Sequence, residues 1–371
     1  MIIGIPKEIK NNENRVSLIP FGVEDLCKNG HTVIVETNAG KGSGFFDEDY
    51  TVAGAQIEST AKAIFEKADM IVKVKEPQPH EVEMIKPNQI VFTYFHFAAD
   101  KELTESIIKS SSIAIAYETV QTDNGQLPLL IPMSEVAGRM AVQNGAKCLE
   151  ASMGGRGKLL SGVPGVEPAT VTILGGGIVG MNAAKIAAGL GAKVNILDIN
   201  ADRLKYLDDI MPSNVFTLYS NRHTILDLLP TTDLLIGAVL VVGAKAPNLI
   251  TREMLSLMPE RSVIIDVAVD QGGCVETCRP TTHKDPTYDV DGIIHYCVTN
   301  MPGAVPYTST IALSNTTYPY ILKISNKGYK AALLADHALM KGLNIYKGKI
   351  THHGVAEAFD LTYTDTEKAL A

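Results

Sequence analysis

Short apolar, β-branched runs recur along this 371-residue chain, separated by longer segments of mixed polarity. In the middle of the chain the runs Thr170–Leu174, Lys193–Leu197, Val215–Tyr219, Asp233–Ala238, Ser262–Asp266 and Ile293–Val298 read as buried strands. Helices fall between them, including Ile178–Leu190 and Arg252–Met258, the latter with Thr251 as its N-cap. Strands alternating with crossover helices predict an α/β fold built on a doubly wound parallel sheet.

The first 117 residues repeat the alternation. Ile2–Ile5, Thr32–Glu36, Met70–Val74, Gln89–Phe95 and Ile113–Tyr117 read as strands, and Pro20–Lys28, Ser59–Glu66 and Lys101–Ser110 as helices. Pro20 suits a first helical turn and Gly30 a helix end. Gly40, Gly42 and Gly44 fit no phosphate-binding pattern and read as a surface loop. Ser134–Ser152 reads as one long helix with Ser134 as N-cap, bridging two domains. Thr308–Leu343 reads as two helices broken near Asn326-Lys327-Gly328. They have no strand partner of their own, and the simplest closure returns them to the first domain. The chain is therefore expected to hold two doubly wound domains. One is discontinuous, residues 1–129 with 306–371, and binds substrate. The other, residues 130–305, is a Rossmann domain.

Gly175-Gly176-Gly177-Ile178-Val179-Gly180 fits G-x-G-x-x-G and lies between a predicted strand and a predicted helix. Roughly twenty residues further on, at the end of the next strand, stands Asp198. This strand, glycine turn, helix, strand and acid form the unit that holds a dinucleotide. Gly175 permits the tight turn, Gly177 lets the backbone approach the pyrophosphate, and Gly180 lets helix and strand pack closely. The N–H groups of Ile178 and Val179 open the helix whose positive end attracts phosphates. Asp198 is placed to accept hydrogen bonds from the adenosine ribose hydroxyls.

Composition narrows the alternatives. Apolar residues make up 46% and charged residues 20%, enough for sizeable cores. The net charge of −8, without a basic cluster, argues against nucleic acid or an anionic membrane as partner. The longest apolar run, Leu234–Ala244, falls well short of the ~20 residues of a membrane helix. Met1-Ile-Ile-Gly-Ile-Pro6 shows no secretory signal. Cysteines 27, 148, 274, 278 and 297 are odd in number and irregularly spaced, so they read as free thiols in a reducing compartment with no metal site.

In open α/β sheets ligands sit beyond the carboxyl ends of strands. Arg15, Lys75, His96 and Asp270 all follow such ends. Singly, Arg15 and Lys75 read as surface charges, His96 as a satisfied histidine and Asp270 as a turn cap. Together they suit one task. A cationic pair holds a small carboxylate, while a His and an Asp exchange protons beside a nicotinamide.

Six stretches carry a resemblance over nearly the whole chain: Gly4-Ile-Pro-Lys-Glu8 with Glu13-Asn-Arg-Val16, Val74-Lys-Glu-Pro77, Thr93-Tyr-Phe-His96, Pro132-Met-Ser-Glu-Val-Ala-Gly138, Leu174-Gly-Gly-Gly-Ile-Val-Gly180 and Asn300-Met-Pro-Gly-Ala-Val-Pro306. On these the chain resembles the alanine dehydrogenases, which deaminate L-alanine oxidatively to pyruvate and ammonia with NAD. The resemblance implies that Arg15 and Lys75 bind the substrate's carboxylate and carbonyl region, and that His96 and Asp270 are the acid/base residues. It implies that Ser134, Asp198, Arg203, Ser220, Val239, Leu240 and Met301 line the cofactor site. It also implies a cytoplasmic homohexamer. The related transhydrogenase α subunit shares the fold but has no use for an amino-acid pocket, and His96 beside Lys75 favours the dehydrogenase. A protein that binds NAD without turnover would have no use for an acid/base pair.

Asp198 carries a prediction. Its carboxylate would meet the 2′-phosphate of NADP with like charge, so NAD is preferred, although Arg203, close by in sequence, could partly offset the repulsion. Asp198→Gly is expected to weaken NAD binding and narrow the preference, measured as kcat/KM with each cofactor. Equal efficiency with NAD and NADP in the unmutated protein would refute the assignment.

Overall fold

The computed structural model describes residues 1–239, 247–269 and 272–371. It divides into two compact units, Met1–Met133 with Val305–Ala371, and Ser134–Ala304. The first begins with six strands, β1 Ile2–Ile5, β2 Thr32–Glu36, β3 Gln56–Glu58, β4 Met70–Val72, β5 Ile90–Thr93 and β6 Ile113–Ala116. The second holds β7 Thr170–Leu174, β8 Lys193–Asp198, β9 Val215–Tyr219, β10 Leu234–Gly237, β11 Val263–Asp266, β12 Thr287–Val290 and β13 Ile293–Tyr296. The chain then returns to the first unit with β14 Leu343–Tyr346 and β15 Lys349–Ile350.

Every residue of β4, β5, β6, β7, β10 and β11 is buried. That is why these strands read as continuous apolar runs: a parallel sheet covered by helices on both faces leaves neither face wet. The first sheet has the order β15-β14-β6-β5-β4-β1-β2-β3 and the second β12-β13-β11-β10-β7-β8-β9. In each, the early strands run outward on one side and the later ones on the other. The direction reverses between β1 and β4, paired Ile3 to Met70, and between β7 and β10, paired Val171 to Leu234. Crevices for ligands open beyond the carboxyl ends at such reversals.

Several expectations need correction. Each sheet is parallel except at one end. β12 pairs antiparallel with β13, and β14 antiparallel with β6 and β15. β12 and β13 form a hairpin across Asp291-Gly292, both at positive φ (53° and 83°), the turn whose twist matches that of the strands. The long helix spans Ile131–Cys148, so Ser134 lies inside its first turn and is not its N-cap. Pro132, which needs no N–H partner in a first turn, lets the helix begin earlier. Thr308–Leu343 forms three helices, Pro306–Lys327, Tyr329–Ala335 and His337–Lys341. Gly328 (φ 73°) makes the first break, and the Asp336 side chain, accepting from Leu339 N, caps the third. Arg252–Leu257 is a 3₁₀ segment.

The helix Pro306–Lys327 is tied to the first unit by side-chain oxygens. Thr310 Oγ1 accepts from Val16 N at 3.2 Å and Ser314 Oγ from Ile19 N at 3.2 Å. In the second unit the helix Ile131–Cys148 approaches the helix Ile178–Gly189 so closely that a Cβ at Gly138 would lie 2.2 Å from Val179 O. Alanine at 138 would gain up to ~1 kcal/mol in helix propensity but force backbone apart at a cost of about 1–3 kcal/mol. Gly138→Ala is therefore expected to lower the unfolding midpoint; an unchanged or raised midpoint would show that this approach does not constrain the fold.

Candidate active site and dinucleotide site

Arg15, Lys75 and His96 all lie on the loops beyond β1, β4 and β5, three neighbouring strands of the first sheet. β4 and β5 are shorter than the sequence suggests, so Lys75 and His96 each sit on irregular backbone a few residues past the strand end. Hydrogen bonds replace the ladder there. Thr93 Oγ1 donates to Lys75 O at 2.9 Å, and Ser17 Oγ to Val72 O at 2.8 Å. The loop carrying Arg15 is thus fastened to the end of β4.

Arg15 is only 2% exposed, against its single-residue reading as a surface charge. Its guanidinium is gripped by Glu13: Nε donates to Oε1 at 2.7 Å and Nη2 to Oε2 at 2.5 Å, while Nη1 rests on Met133 Sδ at 3.0 Å. Such a two-point grip fixes the plane of the guanidinium as well as its position. Burial pushes the Glu13 carboxyl up, but the hydrogen bonds and charge of Arg15 outweigh it and hold it at about 2. The pair is therefore ionised across the physiological range. Lys75 is half-buried, and among the described residues its Nζ has no hydrogen-bond or ion-pair partner. Burial, and then the neighbouring charge of Arg15, lower its pKa, with Glu13 and Glu76 in partial opposition. Two cations and one carboxylate leave this corner with a net positive charge.

His96 is exposed and has left-handed backbone (φ 54°, ψ 38°). Histidine is among the residues enriched in that region, and the strain of about 1–3 kcal/mol persists only where surroundings impose it. Glu118 does so, its Oε1 accepting from His96 N at 2.6 Å and from Phe95 N at 3.1 Å. The imidazole stacks near Tyr94 with ring centroids 6.0 Å apart. Tyr94, whose hydroxyl donates to Leu129 O, also feels the charge of Arg15, so it links the two groups. Glu13 and Tyr94 stand in stretches that carry the resemblance but were given no role there, and Glu118 was not singled out. Their roles arise from loop geometry that periodicity does not encode.

The second unit builds the turn after β7. Gly175 has φ 100°, and a Cβ there would lie 2.7 Å from Ala238 O, just past β10. A Cβ at Gly180 would lie 1.9 Å from Gly175 O. Around Gly177 there is open space, and no side chain caps the helix Ile178–Gly189 that it precedes. An uncapped helix start with an open glycine edge suits a pyrophosphate. Asp198 Oδ2 accepts from Gly176 N at 2.7 Å and Oδ1 from Asn200 N at 2.9 Å, leaving lone pairs for further donors. Arg203 Nε donates to Gly176 O at 2.5 Å and its guanidinium lies over Tyr206, so it is pinned to the turn. Ser220 N donates to Asp198 O at 2.9 Å, and Val239 lies beside Gly175. Gly175, Gly177, Ile178, Val179, Gly180, Asp198, Arg203, Ser220 and Val239 are thus brought together, and the donor set fits a dinucleotide.

Ser134 is one helical turn before Gly138, on the helix face that meets Val179. Met301 is buried in the 3₁₀ segment Met301–Ala304 and makes no hydrogen bond to the glycine turn among the described residues. Leu240 and Asp270 lie outside the described residues.

Family models for the alanine dehydrogenase/PNT N-terminal and C-terminal domains match residues 4–137 and 141–353. An alanine dehydrogenase of Methanococcus maripaludis is 57% identical over 371 residues, covering 100% of both chains. A solved L-alanine dehydrogenase superposes with a TM-score of 0.94 at 54% identity, covering 97% of this chain and 99% of the other. A transhydrogenase from Sinorhizobium meliloti, at 23% identity and TM-score 0.80 over 95% of this chain and 99% of the other, shares the fold. With both domain models matched and full-length identity above half, this chain belongs to the alanine dehydrogenase/PNT family.

Proposed function

We propose that the chain catalyses the reversible oxidative deamination of L-alanine to pyruvate and ammonia with NAD. In this reading residues 1–129 with 306–371 form the substrate-binding domain and 130–305 the NAD-binding Rossmann domain. The observation that carries the substrate reading is the half-buried Lys75 ammonium, without a partner among the described residues, beside the buried Arg15 guanidinium. A desolvated cation costs free energy until an anion pairs with it, and a small carboxylate is the anion this corner fits. The full-length likeness to alanine dehydrogenases chooses which carboxylate.

Arg15, its plane fixed by Glu13, and Lys75 hold the amino-acid carboxylate and later the keto-acid carbonyl region. NAD, when bound, takes up the hydride from Cα. Its pyrophosphate would lie over the N–H groups of Ile178 and Val179, with Gly175, Gly177 and Gly180 admitting the backbone, and its adenosine ribose on Asp198. Arg203, Ser220, Val239, Leu240, Ser134 and Met301 line the same site. His96, held by Glu118, passes protons as the imine is hydrated and the carbinolamine collapses to pyruvate and ammonia. Asp270 is the second acid/base residue by family likeness. Among the described residues no group of three or more His, Cys, Asp or Glu side chains that could hold a metal ion is found. Nor is any described helix long and apolar enough to cross a membrane. The working form is the family's cytoplasmic homohexamer.

Two variants test the reading together. Arg15→Ala is expected to raise KM for alanine and pyruvate, since each charge-assisted hydrogen bond lost costs ~1.5–3 kcal/mol, roughly ten- to a hundredfold. Because it leaves Glu13 buried without its grip, melting temperature is measured alongside, with Arg15→Lys as a milder companion. His96→Ala is expected to cut kcat by ~10²–10⁴. NADH affinity should stay near wild type in each. Unchanged KM in folded Arg15→Ala removes Arg15 from the site, and near-normal turnover in His96→Ala ends its candidacy as acid/base.

A further inference from the structure

Beneath Lys75 lies a charged cluster that the proposed chemistry does not use. Lys73 is fully buried, and its Nζ donates to Glu8 Oε2 at 3.0 Å and Glu81 Oε1 at 2.8 Å. Glu8 and Glu81 are themselves buried. Two carboxylates around one ammonium carry a net negative charge away from water. Burial, relieved in part by Lys73 and reinforced by Glu81, raises the pKa of Glu8, while the two carboxylates keep Lys73 charged. Apolar side chains of the same volume would avoid that desolvation, so packing alone does not account for the cluster.

Its hydrogen bonds do. Glu8 Oε1 accepts from Val74 N at 2.6 Å and from Lys75 N at 3.3 Å. Glu81 Oε2 accepts from Gln78 N at 2.8 Å. The irregular segment between β4 and the helix Pro79–Val82 is therefore held at both ends by two carboxylates, which Lys73 joins. Glu8 comes from the loop after β1, the same loop that presents Glu13 and Arg15. One side chain thus ties the Lys75 backbone to the loop that carries the other cation.

We propose that Glu8 is a positioning residue: its buried carboxylate, bonded to Val74 N, Lys75 N and Lys73 Nζ, sets where the Lys75 ammonium meets the substrate carboxylate. The inference rests on the reading of Lys75 as substrate-binding. Glu8 meets Lys75 at its backbone N–H, so it acts on the chain that carries the ammonium.

The test uses full-length Glu8→Ala, Glu8→Asp, Glu8→Gln, Lys75→Ala and the Glu8→Ala/Lys75→Ala double variant. KM for pyruvate and alanine, kcat, NADH affinity and melting temperature are measured on each. Misplacing a binding group by about 1 Å costs up to roughly a hundredfold, so Glu8→Ala should raise KM roughly 10- to 100-fold with NADH affinity unchanged. Glu8→Gln keeps an acceptor for Val74 N and Lys75 N and should recover most of the loss. Glu8→Asp keeps the charge but draws the oxygens back, so it should raise KM severalfold, and it carries the test if Glu8→Ala does not fold. In the Lys75→Ala background, Glu8→Ala should add no further rise in KM, because the two act through one group. Wild-type KM in folded Glu8→Ala or Glu8→Asp, even with a lower melting temperature, overturns the positioning role. So does a KM rise in Glu8→Gln equal to that in Lys75→Ala, or a full effect of Glu8→Ala without Lys75. If Lys75→Ala itself leaves KM unchanged, the substrate reading of Lys75 fails and this inference falls with it; if only the Glu8 effects are absent, that reading stands.

Discussion

The reversal of strand order between β1 and β4, and again between β7 and β10, is the constraint on which the rest of the structure depends. Where successive crossovers leave in opposite directions, the loops above two neighbouring strands part and open a crevice. In the first unit the parted loops carry Arg15 and Lys75. In the second they carry the Gly175 turn and Ala238-Val239, packed so tightly that a side chain at Gly175 would strike Ala238 O. The two units have little else in common in their loops. One reversal is lined with charged side chains and the other with bare backbone.

Charge placed in the first unit is costly, and the structure shows how it is held. Glu13 grips Arg15 through two nitrogens, Glu118 fixes the left-handed backbone of His96, and Glu8 and Glu81 share Lys73. Each carboxylate fixes a cation or a backbone segment before any ligand arrives. Preorganisation of this kind removes the ordering cost from the binding step. Lys75 is the exception, a half-buried ammonium without a hydrogen-bond or ion-pair partner among the described residues.

The parts legible in the sequence are those written as periodicity or as steric necessity. Continuous apolar runs gave the interior strands because both faces of those strands are covered. The glycine turn and Asp198 were readable because only glycine tolerates the approach at Gly175 and Gly180. Three of the four edge strands were missed. β3 and β15 are too short for a period to show, and β12 is only partly buried. Asp291-Gly292 between two strand-like runs was the hairpin signal available for β12. Placing Ser134 as an N-cap weighed serine's capping preference above the earlier Pro132. Of the site, residue types and their place past strand ends could be read, but not the grip of Glu13 on a residue two positions away or the burial of Lys73. Those depend on loops crossing, which no local pattern records. Asp270 and Leu240 lie outside the described residues, so Leu240 rests on resemblance and Asp270 on resemblance and its place past the strand ending at Asp266.

The proposed reaction moves the Cα hydride of L-alanine to NAD. Its most direct measurement is NADH formation across a panel of L-amino acids, with L-alanine deuterated at Cα as one member. The account predicts that L-alanine is the preferred substrate, that its Cα deuterium is found in the NADH formed, and that pyruvate and ammonia appear in equal amounts with it. No NADH formed from L-alanine, or deuterium lost to solvent and not carried to the nicotinamide, would contradict it.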